Sequence, residues 1–451
     1  MTPSLPSARQ SNPFAIVGFG LLLVYIFLAL SRVLDFTWPQ LRIPMILYIL
    51  LTAAGILNGG LLAGLSSKIG VFLLLHILWV GAAVPFSVWR GGSTSLFIQI
   101  LRHFILFCAI VGLTNTVRQS RRLLAVAAFA FLAAALLSFV FGQSHAESGR
   151  LGLTVGNLTD PNEYAMILLV GLSLWIWLAS QWSGAFQKIT AATAILAIGA
   201  AFARTGSRSG LITLLVLAFI LFVRTSLAGK VKLGAAVLAG ILIAALVLPD
   251  NVKQRFVTFF TVDSDQMEDP NTLGMADSAV ASTESRLAML RESVAITFQH
   301  PLFGVGPNQF PVYTDQAAKD RGERRGAWLV THNTYTQISS ECGIPALLFY
   351  VVAMVLCMRI GSRLRRHPEF RAHPLWDQVW TTAFYLRLCV VSMAVFAFFL
   401  CFAYTALFYI IAALAVSFER TAFAELSQPA EAAPAPQPQR GQPLIAGLAS
   451  R

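Results

Sequence analysis

Charge is scarce in this chain, and negative charge scarcest: 12% of the 451 residues are charged, with 21 acids against 33 bases. An ordinary soluble domain carries about 25% charged residues, so a chain solvated along its whole length is excluded. Cysteine is sparse too. Cys108, Cys357, Cys389 and Cys401 fall in or at apolar segments and Cys342 stands alone beside Glu341, so no CxxC pair exists and disulfide, redox and zinc roles drop out. The first apolar run lacks a small-residue cleavage site followed by a polar mature domain, which argues for a retained helix rather than a removed secretory signal. No internal repeat is evident.

What the chain does have is apolar residues, 56% of the total, gathered in blocks. A hydrocarbon core of ~30 Å is crossed by a helix of roughly 20 residues. Twelve segments fit that scale, some of them short: 14–30, 43–65, 69–86, 96–116, 122–142, 161–180, 188–203, 210–223, 232–248, 334–359, 378–397 and 400–418. The expectation is an all-α polytopic membrane protein of about twelve transmembrane helices. Residues 1–248 hold the first nine, 249–333 a large loop, 334–418 the last three, and 419–451 a Pro- and Ala-rich disordered tail. Basic residues set the orientation. With the N-terminus inside, Arg118, Arg121, Arg122, Arg359, Arg363, Arg365, Arg366 and Arg371 all lie on the cytoplasmic side, whereas the short loops opposite carry only Arg32, Arg42, Arg90, Arg150, Arg204 and Arg208. Both termini are then cytoplasmic, the membrane is the bacterial inner membrane, and the large loop is periplasmic. Topology accounts for the formal net charge of +12, so no nucleic-acid partner is expected.

Four patches stand out against the apolar background. Arg204-Thr-Gly-Ser-Arg208-Ser-Gly is a hydroxyl-rich turn whose guanidiniums and free amides suit phosphate oxygens; the alternative is that both arginines snorkel to the interface. Within the loop, Ser285 to Phe298 reads as an amphipathic helix with Leu287, Leu290, Val294 and Phe298 on one stripe. Its Arg286 and Arg291, five residues apart, diverge by about 140° and do not easily share a ligand; each alternatively forms a surface ion pair with a nearby glutamate. His300-Pro-Leu-Phe-Gly-Val-Gly-Pro-Asn308 lacks the Lys-Ser/Thr ending of a nucleotide-binding loop and reads as a structural turn.

The fourth patch runs from Thr331 to Gly343. At helical spacing Asn333, Gln337 and Glu341 share a polar stripe, with His332, Tyr335 and Ser339 adjoining it, and such a stripe must face protein or water. Capping and buried hydrogen bonds are the plainer reading. Asp160-Pro-Asn-Glu163 reads as a helix cap, and Asp263-Ser-Asp265 sits in an acidic flexible run where metal binding is not expected. Arg102 and Arg387 fall inside apolar segments, where they either meet an anionic lipid headgroup or pair with something buried.

The order Thr205-Gly-Ser-Arg208-Ser-Gly, then Arg286 ahead of His300-Pro-Leu-Phe-Gly-Val-Gly306, then His332-Asn333 and Glu341-Cys-Gly343 resembles the O-antigen ligase and polysaccharide polymerase superfamily of bacterial envelopes. The likeness is best from about Asp160 to Tyr350. The resemblance implies transfer of a glycan from an undecaprenyl-diphosphate carrier to an acceptor hydroxyl at the periplasmic face, on a fold similar to the C-type glycosyltransferases. No cofactor and no metal are implied; the acceptor is a glycan, a lipid A core sugar or a protein, and membrane lipids surround the site. One departure is Leu290, where the family helix often has Trp four residues after the arginine.

Chemistry and resemblance converge on one scheme. Fixed arginines stabilise the departing diphosphate, with Arg208 and Arg286 leading and Arg204 third. An imidazole poised near neutrality, His332, takes the acceptor proton. Asn333 and Glu341 are expected to support rather than react. A transporter or flippase of lipid-linked glycans is the rival from another class; repeats and helices interrupted near the bilayer midplane would favour it.

Overall fold

The structure, a computed structural model, describes residues 13–144, 149–154, 156–248, 250, 252–253, 270–322 and 329–428. These are helical apart from loops and one short antiparallel hairpin, Gly142–Ser144 against Leu151–Leu153. Eight of the described helices are long and apolar enough to cross a membrane, and two shorter apolar ones, Ala15–Ser31 and Ile344–Met358, join them. The protein is therefore an all-α, multi-pass membrane protein. The segments expected at 210–223 and 232–248 are the helices Arg208–Arg224 and Leu227–Val247, which stand outside both groups.

Pro161–Gln181 and Ala406–Leu426 are the most buried of the spans. Around them, Pro161–Gln181 packs on Ala185–Arg204 and Trp376–Phe396, while Ala406–Leu426 packs on Arg90–Leu113; Lys68–Ala83 lies along Ile344–Met358. Outward-facing positions stay apolar, as at Ile46, Leu62, Leu78, Phe186 and Phe219. That pattern suits acyl chains and not water.

Several elements depart from their apolar patterns for identifiable reasons. The segment 43–65 is two helices, Ile43–Leu57 and Gly60–Leu65. The segment 334–359 also divides, into Thr334–Cys342 and Ile344–Met358. The break at Gly343 has φ +87°, and a Cβ there would overlap the Leu302 carbonyl oxygen, so only glycine fits. The final helix starts at Ala406 instead of Leu400, because the Thr334 hydroxyl ties down the non-helical stretch before it, donating to Leu400 O (2.6 Å) and accepting from Phe402 N (3.1 Å). It then runs on to Leu426. Glu419 pairs with Arg363 at 2.9 Å, Arg420 donates to the carbonyls of Val111 and Thr114, and Glu425 accepts from Val117 N. Residues 429–451 of the expected tail, and Asp263-Ser-Asp265, lie outside the described residues.

The large loop holds one long helix, Pro270–Gln299, which includes the expected Ser285–Phe298 stretch, and a second helix, Phe310–Asp320, that the apolar pattern does not mark. Met289, Ser293, Ile296 and Thr297, spaced one turn apart, form the buried face of the long helix; Met289 and Ile296 pack with Val305 and Phe310 of the loop, and the helix lies against Thr334–Cys342. The apolar stripe of Leu287, Val294 and Phe298 is exposed. Seating is by hydroxyls as much as by methyl groups: Thr297 Oγ1 meets Ser339 Oγ at 2.8 Å.

Candidate functional site

Three separate stretches meet at one end of the bundle. The first is the turn between the helices Ala185–Arg204 and Arg208–Arg224. Gly206 has φ +56°, and Ser207 caps the second helix by accepting from Gly210 N at 3.1 Å. Two residues that the sequence patterns did not mark hold this turn. Arg150 donates through Nε to the Thr205 carbonyl (2.8 Å) and through Nη2 to Asn162 Oδ1 (2.8 Å), and Asn162 Oδ1 also accepts from Ser207 Oγ (2.9 Å). All three side chains are buried. Buried polar groups carry a large cost unless bonded, so the network fixes the turn and presents Arg208, half-buried, at the first helical position.

The second stretch is the long loop helix, which carries Arg286 half-buried and Arg291 exposed. The third is the entry to Thr334–Cys342. His332 has φ +50°, a left-handed backbone that histidine adopts more readily than most residues. Its neighbours pin it. Thr331 Oγ1 donates to Asn333 O (3.0 Å), and Asn333 Oδ1 caps the helix by accepting from Tyr335 N (2.9 Å) and Thr336 N (3.0 Å). Thr334 N donates to Ala397 O at 2.7 Å. The imidazole therefore projects from a fixed corner, and the Asn333 side chain is spent on the cap.

Electrostatics bring these stretches together. Burial first, then the positive charge of Arg286, holds the His332 pKa below its ordinary 6.5, while Asp160 pulls the other way. The same Arg286 charge acts on Arg208. Arg286 is thus near both Arg208 and His332, and Asp160 is near His332. Asp160 also caps Pro161–Gln181, accepting from Asn162 N (2.6 Å) and Glu163 N (3.3 Å), so the capping role read from its sequence is one of two. Arg204, half-buried at its helix end, acts on Tyr164.

Glu341 faces elsewhere. Its carboxylate is buried and accepts from Asn308 N (3.0 Å), Phe310 N (3.3 Å) and Tyr404 Oη (2.7 Å). The His300–Asn308 turn wraps this corner, with Val305 N bonded to Ser340 O, Gly306 N to Glu341 O, and Ile344 N to Pro301 O. Those amides are consumed by the protein itself and offer nothing to a phosphate. The interruption at Gly343 is consequently filled by packed backbone. No grouping of three or more His, Cys, Asp or Glu suited to a metal occurs among the described residues.

Chemically, the cluster offers two guanidiniums for an anion and a neutral imidazole for a proton. Residues 191–351 match the family model described as O-antigen ligase, a stretch that contains the turn, Arg286 and the corner from His332 to Gly343. No curated protein matches the chain.

Proposed function

We propose that this chain, whose residues 191–351 match the O-antigen ligase family model, moves a glycan from an undecaprenyl-diphosphate carrier to an acceptor hydroxyl at the periplasmic face of the bacterial inner membrane, with both termini cytoplasmic. The observation that carries this reading is the shared field of Arg286 on Arg208 and His332. It supports a scheme in which anion-binding and proton-accepting groups serve one reacting centre.

In the proposed step the acceptor oxygen attacks the anomeric carbon, His332 takes the hydroxyl proton, and the bond from carbon to diphosphate oxygen breaks with its electron pair staying on the diphosphate. Arg208 and Arg286 meet the negative charge that develops there, and donors fixed before reaction are worth most when water is excluded. Arg204 is a third, outlying contact for the diphosphate. Asn333 and Glu341 hold the corner and take no part in the chemistry. The two arginines supply the countercharge that a divalent ion would otherwise provide, so no metal or cofactor is assigned.

Deleting the gene and analysing surface glycans tests the assignment. A polymerase predicts short unpolymerised units, a ligase predicts long chains left unattached, and an unaltered glycan profile overturns both. A second test uses pH. Because the His332 pKa is lowered, the imidazole stays neutral on mild acidification, and kcat/KM should fall only below the ordinary 6.5. Arg286→Gln removes a charge that lowers this pKa, so the acid limb should move up. Asp160→Asn removes the charge that raises it, so the limb should move further down, and the helix cap survives because asparagine caps equally well. Limbs that stay in place in both variants would exclude His332 as the titrating base.

A further inference from the structure

The helix Arg208–Arg224 runs from the candidate site to the other face of the bundle, roughly 24 Å at 1.5 Å per residue. Trp376–Phe396 confirms the direction. Its far end meets the His332 corner, where Tyr335 Oη donates to Ala394 O (2.9 Å) and Thr334 N to Ala397 O (2.7 Å), so its tryptophan end lies opposite. At that opposite face three arginines from three elements converge. Arg387 lies within Trp376–Phe396, and the charges of Arg224 and Arg365 both act on it.

Aromatic rings fix the arrangement. The Arg224 guanidinium lies 5.5 Å from the Phe384 ring centroid and that of Arg365 5.0 Å from Trp380, which is stacked on Trp376 at 5.8 Å. Trp376, Trp380, Phe384 and Arg387 recur at steps of four, four and three along one helix stripe. Arg387 reaches toward Gly361, where a Cβ would lie 2.9 Å from Nη2. Its Nε is buried without a hydrogen-bond partner. Among the described residues, none of the three arginines forms an ion pair with a carboxylate.

Three like charges held close, one of them inside a membrane span, repel each other and are costly until an anion joins them. Orientation anchors alone would not need to converge, nor to bury a guanidinium nitrogen. We propose that Arg224, Arg365 and Arg387 form a binding site for the phosphodiester headgroup of an anionic membrane lipid, in the leaflet opposite the candidate transfer site. Guanidinium forks match phosphate oxygens bidentately, tryptophans favour the headgroup level, and basic pockets between membrane helices take anionic lipids. The exposed Leu215, Phe219 and Phe222 of Arg208–Arg224 offer the acyl chains an apolar surface beside the site.

The test is native mass spectrometry and thermal unfolding of the purified full-length protein with phosphatidylglycerol, phosphatidylcholine or inorganic phosphate as probe. Phosphatidylglycerol should remain bound and raise the unfolding temperature, and phosphatidylcholine should do neither. Arg387→Gln should weaken retention about fivefold, the value of one guanidinium at a lipid headgroup. Arg224→Gln, at an exposed helix end, should do the same if the buried substitution fails to fold. Equal retention of both lipids, or wild-type retention in both variants, would overturn the site. Equal stabilisation by inorganic phosphate would overturn its assignment to a lipid.

Discussion

His332→Ala should lower glycan transfer by about 10²- to 10⁴-fold, the range a positioned general base contributes, with membrane protein level unchanged. Two features of the corner lead to this loss. Burial and the Arg286 charge keep the imidazole neutral near pH 7 and so able to accept a proton. The left-handed backbone and the Asn333 cap aim it from a fixed point. A structural histidine at that position would behave differently. His332→Asn separates the two roles: asparagine tolerates positive φ but offers no comparable base. Loss of transfer with normal thermal stability in His332→Asn identifies a chemical role. Wild-type turnover in both variants would sink the assignment.

Removing Arg286 or Arg208 should cost about 10²- to 10³-fold in kcat, the usual effect of deleting one donor to a developing oxyanion. Lysine should restore only part of it, because a point charge cannot reproduce the planar fork. The two losses should combine less than additively, since both guanidiniums serve one diphosphate. Arg204→Ala should fall well short of either, because its charge acts on Tyr164 at the helix end. Excess chelator should leave wild-type turnover intact. A strong chelator effect, together with near-normal kcat in Arg286→Ala, would transfer the electrostatic role from the arginines to a metal ion.

The membrane helices were legible because apolar runs about 20 residues long match the thickness of a bilayer and exceed what a soluble core requires. Their interruptions were less so. Gly343, between Glu341 and Pro345, falls inside the segment read as one helix, and what shows its break is the close approach of the Leu302 carbonyl from the preceding loop. Arg208 and His332 stood out as polar residues at the edges of apolar segments, which is where a charge must be justified, and Arg286 stood out on the amphipathic helix of the large loop. Arg150 and Asn162 did not, because their meaning lies in a three-way contact with Ser207 across the fold. A lone arginine in a short loop reads as an orientation signal until its partners are known. The loop helix misled in another way: its apolar stripe was visible, but its buried face is formed by Met289, Ser293, Ile296 and Thr297 instead.

The grip on Glu341 bears on how this protein can diversify. The helix carrying Arg286 continues into the His300–Asn308 turn, that turn is bonded to Ser340 and Glu341, and the Glu341 helix begins next to His332. Arg286 and His332 therefore belong to a ring closed by hydrogen bonds at Glu341, which the chain leaves through the helix Phe310–Asp320 and the turn at Arg321 and Gly322. Lengthening a connecting loop costs little entropy. New acceptor-reading surface can be inserted there while the spacing between arginine and imidazole is left untouched.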